Sequence, residues 1–169
     1  MNKERVQEVF DKISSQSYLT AGQIPPLSLY IDQILTLFST GTAEEKALTK
    51  SMVNNYSKEK MLCPIKGKKY SREQVLQILL ICRLKSVLSM DQIRRVTKAL
   101  MSDEDNEKTL ETILNHADQQ RTVTAQAAAF TAEHLTSENS AELLLELTQL
   151  SDFFAQAAKL LAEQDFPKE

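Results

Sequence analysis

Apolar residues recur at helical spacing in the first third of the chain. Residues 2–15 and residues 29–38 each carry an apolar stripe at i, i+3, i+4 and i+7, which predicts two amphipathic helices. Residues 49–58 carry a shorter apolar stripe, and Thr49 at its start is a residue type that caps helices. The pattern therefore predicts three helices before the middle of the chain.

From Ser71 onward the sequence predicts helix almost throughout. Ser71 and Ser89 each open an S-x-x-Q capping-box pattern before an apolar-periodic run, so a helix is expected after each serine. Between Gly67 and Pro167 there is no glycine or proline, and the turn residues that a sheet requires are missing. We therefore expect an all-α, mainly helical fold with a small β wing and C-terminal helices. Its expected parts are an N-terminal helix and linker (1–23), a winged helix-turn-helix domain (24–101) and a C-terminal helical region (102–169).

One segment between the third helix and Ser71 has strand character. Pro64 and Gly67 are the helix breakers in this segment, and Gly67 can adopt the positive φ that a tight turn requires. Two short extended arms around Lys66-Gly67-Lys68 are expected to pair as a small β-hairpin, or wing.

The expected last helix, residues 140–164, carries a heptad-like seam. Its apolar residues are spaced 4, 3, 4, 3 and 4 apart, as at the a and d positions of a coiled coil. Nearly three heptads are few for a free-standing coiled coil, so the seam packs either within the chain or against a second copy. The dimerisation candidates are Leu143, Leu147, Leu150, Phe154 and Leu161, and Ala157 completes the spacing.

Charge is distributed unevenly along the chain. Residues 46–98 hold thirteen Lys and Arg and three acidic residues, a net charge of +10, whereas the remainder holds seven basic and twenty acidic residues, a net charge of −13. A segment this basic is typical of a surface that binds a polyanion. The alternative is that its charges pair with the acidic part of the same chain.

Other classes of protein lack their signatures here. The N-terminus is charged from its second residue, and the densest apolar run, 75–84, is shorter than the roughly 20 residues of a membrane span, so we expect a cytoplasmic protein without membrane contact. Cys63 and Cys82 predict no disulfide, and His116 and His134 form no close pair with each other or with cysteine, so no metal site is expected. Without a Gly-rich phosphate loop or a nucleophile signature, no enzyme, catalytic residue or cofactor is predicted.

Three runs of the sequence resemble the DNA-binding domain of the MerR family: LTKSMVNNYSKEKML, GKKYSREQVLQILLI and VLSMDQI. In that family the recognition helix ends in a tyrosine, a basic wing ends in a basic-Tyr step, and a capped helix follows. Tyr56, Lys69-Tyr70 and Ser71 occupy those places. The stretch from Ile24, including IPPLSLYIDQ, resembles an uncharacterised bacterial family related to MerR.

The resemblance implies a winged helix-turn-helix fold and a transcription regulator. Asn54 stands where the MerR pattern has Arg, and Lys60 stands where it has Gly after the recognition helix. The backbone contact of that Arg and the helix ending at that Gly are therefore not carried over. The MerR effector regions have no counterpart in this chain, and whether a small molecule is sensed stays open.

The side chains around the third helix suit DNA by their own chemistry. Asn pairs with adenine and Lys with guanine in the major groove, while Lys, Arg and Tyr donate to phosphate oxygens. The predicted base contacts are Lys50, Ser51, Asn54, Asn55 and Lys58, and the predicted backbone contacts are Tyr56, Lys66, Lys68, Lys69, Tyr70 and Arg72. Tyr56 and Tyr70 have an alternative interpretation as core residues with satisfied hydroxyls.

The resulting hypothesis is a homodimeric, sequence-specific regulator of transcription that binds double-stranded DNA. Helix 49–58 would lie in the major groove and wing 66–70 along the backbone, and two-fold pairing of the C-terminal helices predicts a pseudo-palindromic site. The alternative is a helical protein-interaction module, an adaptor, whose acidic helices dimerise or bind a partner and whose wing does not bind DNA. Charge reversal at Lys68 and Lys69 distinguishes the two hypotheses.

Overall fold

A computed structural model describes residues 3–15, 18–39, 48–101, 105–135, 137 and 139–168. These residues form an all-α, mainly helical fold, as the apolar periodicity predicts. The elements in chain order are α1 (Lys3–Ser14), a 3-10 turn (Ala21–Gln23), β1 (Leu29–Tyr30), α2 (Ile31–Ser39), α3 (Lys50–Lys58), β2 (Lys69–Tyr70), α4 (Arg72–Leu84), α5 (Met90–Leu100), α6 (Asn106–Gln119), α7 (Arg121–His134) and α8 (Ser140–Asp165). Among these helices, none is long and apolar enough to cross a membrane.

Helix α4 is the centre of the core. Its residues from Gln74 to Ile81 are all buried, and α5, α6 and β2 pack against it. Helices α2 and α3 add Phe38 and Val53 to the same core, and α6 adds Leu114. Burial on every side accounts for the nearly continuous apolar run of α4, since a helix at the surface alternates apolar and polar faces.

The predicted helix starts are confirmed by their hydrogen bonds. The Ser71 and Ser89 backbone N–H groups donate to Gln74 Oε1 at 2.8 Å and to Gln92 Oε1 at 2.9 Å. In return, the Gln74 and Gln92 N–H groups donate to the serine hydroxyls, which completes both capping boxes. Thr49 Oγ1 accepts from the Met52 N–H at 3.2 Å and so begins α3 as expected.

The prediction of a hairpin around Gly67 is wrong. Strand β2 pairs antiparallel with β1, with Leu29 opposite Tyr70 and Tyr30 opposite Lys69. The arm before Gly67 contains Pro64, which has no N–H to donate, and α4 holds this arm through side-chain hydrogen bonds described below. The hydrogen-bonding edge of β2 therefore pairs with β1, which lies much earlier in the chain. Gly67 does adopt the positive φ expected of it, 81°.

Helices α6, α7 and α8 surround this core, and each contacts a different helix. Arg72 and Arg83 of α4 form ion pairs with α6, the first with Glu107 and Glu111 and the second with Asp118 at 2.6 Å. Helix α7 follows α6 after a break at Gln120 and packs against α1. The part of α8 near its own carboxyl end packs on α5.

Candidate nucleic-acid interface

Helix α3 presents one polar face to solvent. Val53 and Tyr56 are buried, whereas Lys50, Ser51, Asn54, Asn55 and Lys58 are all exposed. At 3.6 residues per turn, these five positions fall within an arc of about 140° on the side opposite the buried pair. All five predicted base contacts therefore share a single accessible face.

A tight turn ends α3 at Lys60. The Met61 N–H donates to the Tyr56 carbonyl at 2.9 Å and the Lys60 N–H donates to the Ser57 carbonyl at 3.1 Å, which together form a Schellman motif. Lys60 has a φ of 56°, in the left-handed region that glycine usually occupies at this position. The apolar contact of the motif is supplied by Tyr56 and Met61, which are both buried. The helix thus stops without the glycine of the MerR pattern.

Two buried glutamines of α4 hold the segment that joins α3 to the wing. Gln77 Oε1 accepts from the Cys63 N–H at 2.8 Å, and Gln77 Nε2 donates to Cys63 Sγ at 3.0 Å. Gln74 Nε2 donates to the carbonyls of Cys63 and Pro64, both at 3.0 Å. Because buried amides without partners are costly, these bonds fix the path of the loop and, with it, the start of the wing.

The wing presents three lysines and one aromatic ring. Lys66, Lys68 and Lys69 are exposed around the turn at Gly67. The Lys69 ammonium lies 5.0 Å from the ring centroid of Tyr30, a cation–π distance that the pairing of β1 with β2 creates. Tyr30 is half exposed, and nothing in the sequence around it indicates that it lies beside the wing. Only the pairing of the two strands brings it beside the wing.

Three predicted backbone contacts belong instead to the protein interior. Tyr56 is 3% exposed and Tyr70 is 8% exposed, as in the alternative interpretation of both as core residues. Burial, with a smaller effect of nearby Cys82, raises the pKa of Tyr56 to about 12. Arg72 donates to Glu107 at 3.0 Å, to Glu111 at 2.7 Å and to the Ile24 carbonyl at 3.3 Å. These three predicted contacts are therefore corrected: Tyr56 and Tyr70 are core residues, and Arg72 is used in ion pairs within the protein.

The arginines and lysines of the basic segment divide into two groups. All four arginines form ion pairs within the protein: Arg72 and Arg83 with α6, Arg94 with Glu59 and Asp91, and Arg95 with Asp91 and Glu163. In the described part of the chain, the lysines of α3 and the wing have no ion pair; they are Lys50, Lys58, Lys66, Lys68 and Lys69. Lys46 lies outside the described residues. The arginines thus follow the interpretation in which the charges pair within the chain, while binding of a polyanion by the lysines stays a prediction.

A cleft of about 1070 Å³ adjoins the end of α3 and is lined also by α5 and the carboxyl end of α8. Three of its cations, Arg94, Arg95 and Lys168, face carboxylates of the same cleft. Arg94 lies 3.5 Å from Glu59 and also contacts Asp91, and Lys168 lies 4.0 Å from Asp91. Lys58 and Lys60, at the end of α3, also line this cleft, so the exposed lysines of α3 border it on one side.

Metal-ligating and nucleophilic groups do not cluster near this surface. Over the residues that the structure describes, no three His, Cys, Asp or Glu side chains are placed to hold a metal ion. Cys63 and Cys82 are both free thiols. Burial, followed by the hydrogen bond to Glu73, raises the pKa of the Cys63 thiol, so the thiol stays protonated at neutral pH. Its role is to bind Gln77 and Glu73 within the loop.

The geometry defines a class: an all-α protein with a polar, lysine-bearing face on one helix and a basic turn that follows it in the chain. Residues 19–117 match the family described as Domain of unknown function (DUF1836). Since the match covers more than half of the 169 residues, the protein belongs to this family. Comparison with curated proteins and with solved structures gave no match.

The predicted relation to MerR-type regulators is wrong. The family match is to DUF1836, and nothing in the comparisons indicates a MerR regulator. One structural feature also separates the chain from that pattern: the wing is not a hairpin, since β2 pairs with β1.

The matched span coincides with the hydrophobic core. The core cluster runs from Leu19 to Leu114, and Ala162 of α8 is its one member outside residues 19–117 among those that the structure describes. The match includes most of α6, which supplies core residues and the ion-pair partners Glu107 and Glu111 of α4. Helices α1, α7 and α8 lie outside the family match.

Proposed function

We propose that this protein binds double-stranded DNA through the exposed face of α3 and the lysines of the wing, and that it regulates transcription. The observation that carries the proposal is the division of charge within the basic segment. Its arginines are used internally, while the lysines of α3 and the wing have no ion pair among the described residues. Exposed cations that are not neutralised within the protein are what a phosphate backbone attracts.

The exposed face of α3 supports direct readout of bases. Asn54 and Asn55 offer amide groups that bond both the acceptor and the donor of adenine, and Lys50 and Lys58 offer donors for guanine. The B-DNA major groove is wide enough to admit an α-helix, and each well-formed bidentate contact contributes about 1–3 kcal/mol of discrimination. Ser51 adds a hydroxyl on the same face.

The wing supplies contacts to phosphates. Lys66, Lys68 and Lys69 are exposed cations on a turn whose start is fixed by the glutamines of α4. Three phosphate contacts per protomer contribute about −2.7 to the slope of log affinity against log salt, at roughly −0.9 per contact. Tyr30, beside Lys69, adds a hydroxyl donor to this group.

The test is equilibrium binding of a labelled pool of random-sequence duplex DNA at several salt concentrations. The Lys68→Glu/Lys69→Glu variant is expected to bind at least about tenfold more weakly and to lose about 2 from the salt slope. The matched control is Lys12→Glu/Lys108→Glu, which makes the same charge change at exposed lysines of α1 and α6. Equal weakening by both variants, or no binding by the wild type, would overturn the proposal.

A helical protein-interaction module without DNA binding is the second candidate function. The observation that favours it is the apolar surface of the outer helices, where Phe130 of α7 and Phe153 of α8 are both more than half exposed. In that case the wing variant keeps its protein partner, and the wild type has no affinity for the duplex pool. The same titration therefore separates the two candidates.

A further inference from the structure

The seam of α8 is open to solvent. Phe154 is 66% exposed, Leu161 57% and Leu150 39%, while Leu143 and Leu147 are partly covered. Two further apolar residues flank the seam, Phe153 at 68% and Leu160 at 60%. Apolar side chains this exposed along one helix are typical of an interaction surface. Within the described residues, the chain therefore leaves the seam from Leu150 to Leu161 uncovered and covers only part of Leu143 and Leu147.

The attachment of α8 to the core leaves the seam facing away from it. Glu163 Oε1 accepts from Arg95 at 2.7 Å and from Gln92 at 2.9 Å, and Ala162 is buried. At 3.6 residues per turn, the face that bears these contacts lies roughly 140° around the helix from the seam. The core thus holds one side of α8 and directs the other side outward.

We infer that the α8 seam pairs with the α8 seam of a second copy of this chain, in antiparallel orientation. The area agrees with a dimer. Covering Leu150, Phe153, Phe154, Leu160 and Leu161 buries on the order of 500–600 Å² per protomer, so about 1,100 Å² in total, near the lower end of stable interfaces. The residual exposure of Leu143 and Leu147 adds to this area.

The sizes of the seam residues determine the orientation. In an antiparallel pair centred near Asp152, Leu147 lies opposite the partner's Ala157, Leu150 opposite the partner's Phe154, and Leu143 opposite the partner's Leu161. Every layer then combines side chains that fill the space between the helices. In a parallel pair, each residue meets its own copy, so an Ala157 layer leaves a gap beside an oversized Phe154 layer.

The first experiment measures the mass of the full-length protein by sedimentation equilibrium at micromolar concentrations without DNA, so it is independent of the proposed function. The wild type is expected to be a dimer. The seam variant Leu150→Glu/Phe154→Glu is expected to dissociate at least about a hundredfold more readily. The control Thr148→Glu/Gln149→Glu adds the same charge at exposed positions away from both the seam and the attachment at Glu163, and is expected to remain dimeric, with unchanged helicity in all three proteins.

The second experiment tests the orientation by disulfide cross-linking in a Cys63→Ser/Cys82→Ser background. Ser151→Cys lies beside the two-fold axis of an antiparallel pair and is expected to cross-link to its own copy. Ala157→Cys is about 15 Å from its own copy in that arrangement and is expected not to cross-link. The reverse result would overturn the antiparallel pairing. A monomeric wild type, or a seam variant as dimeric as the control, would overturn the interface itself.

Discussion

Lys60 provides the most direct test of how α3 is ended and positioned. A non-glycine residue in the left-handed region costs about 1–2 kcal/mol relative to the right-handed region. Glycine removes this cost but loses more backbone entropy on folding, about 0.5–1 kcal/mol. Since Lys60 has a φ of 56° in a Schellman motif, Lys60→Gly is expected to raise the free energy of unfolding by about 0.5–1 kcal/mol.

The assay is urea denaturation followed by far-UV circular dichroism, with an unchanged m-value indicating that the same surface is exposed on unfolding. In a chain of this size, such a gain corresponds to a rise in Tm of about 1–4 °C. The matched control is Lys60→Ala, which removes the same charge but keeps a Cβ atom and so keeps the cost of the positive φ. Equal stability of the Gly and Ala variants would refute the reasoning, because the gain would then not come from the backbone.

Three other predictions concern the loop and the ion pairs. Gln77→Leu leaves the N–H of half-buried Cys63 without its acceptor, so the free energy of unfolding should fall by about 1–3 kcal/mol in urea denaturation. An unchanged free energy of unfolding would contradict the role of this hydrogen bond. Arg72 lowers the pKa of Glu111 in the folded state, so the pair stabilises the protein above the ordinary glutamate pKa and loses that effect as the pH falls through the lowered value. The stability difference between wild type and Arg72→Gln should therefore narrow on acidification below about pH 4, and a pH-independent difference would contradict the ion pair. Burial and the hydrogen bond to Glu73 raise the pKa of the Cys63 thiol. In a Cys82→Ser background, Glu73→Gln should therefore shift the midpoint of the pH profile of Cys63 alkylation to lower pH. An unshifted midpoint would contradict the hydrogen bond to Glu73.

The local features of the fold were predictable from the sequence. Capping boxes at Ser71 and Ser89 and the cap at Thr49 depend on residues three positions apart, so the chain itself carries the whole signal. The apolar periodicity likewise identified the exposed face of α3, because burial of Val53 and Tyr56 follows from their spacing.

The features that were missed depend on residues far apart in the chain. Arg72 resembles any other cation of the basic segment until α6 places Glu107 and Glu111 beside it, 35 and 39 residues later. Strand β2 takes its partner from Leu29–Tyr30, a pairing that also makes Tyr30 a neighbour of Lys69. The seam of α8 had two possible partners because spacing specifies an apolar face but does not specify what covers it.

The central claim, sequence-specific binding of DNA, is tested most directly by selection of fragmented genomic DNA with the purified full-length protein. The wild type and the Lys12→Glu/Lys108→Glu control are expected to enrich one shared motif. Lys68→Glu/Lys69→Glu, which binds more weakly, should fail to enrich the motif, whereas Asn54→Ala/Asn55→Ala should keep binding and lose the motif. With the antiparallel dimer, the motif should be pseudo-palindromic. A flat profile from the wild type, equal to that of the wing variant, would contradict the account and favour the interaction module.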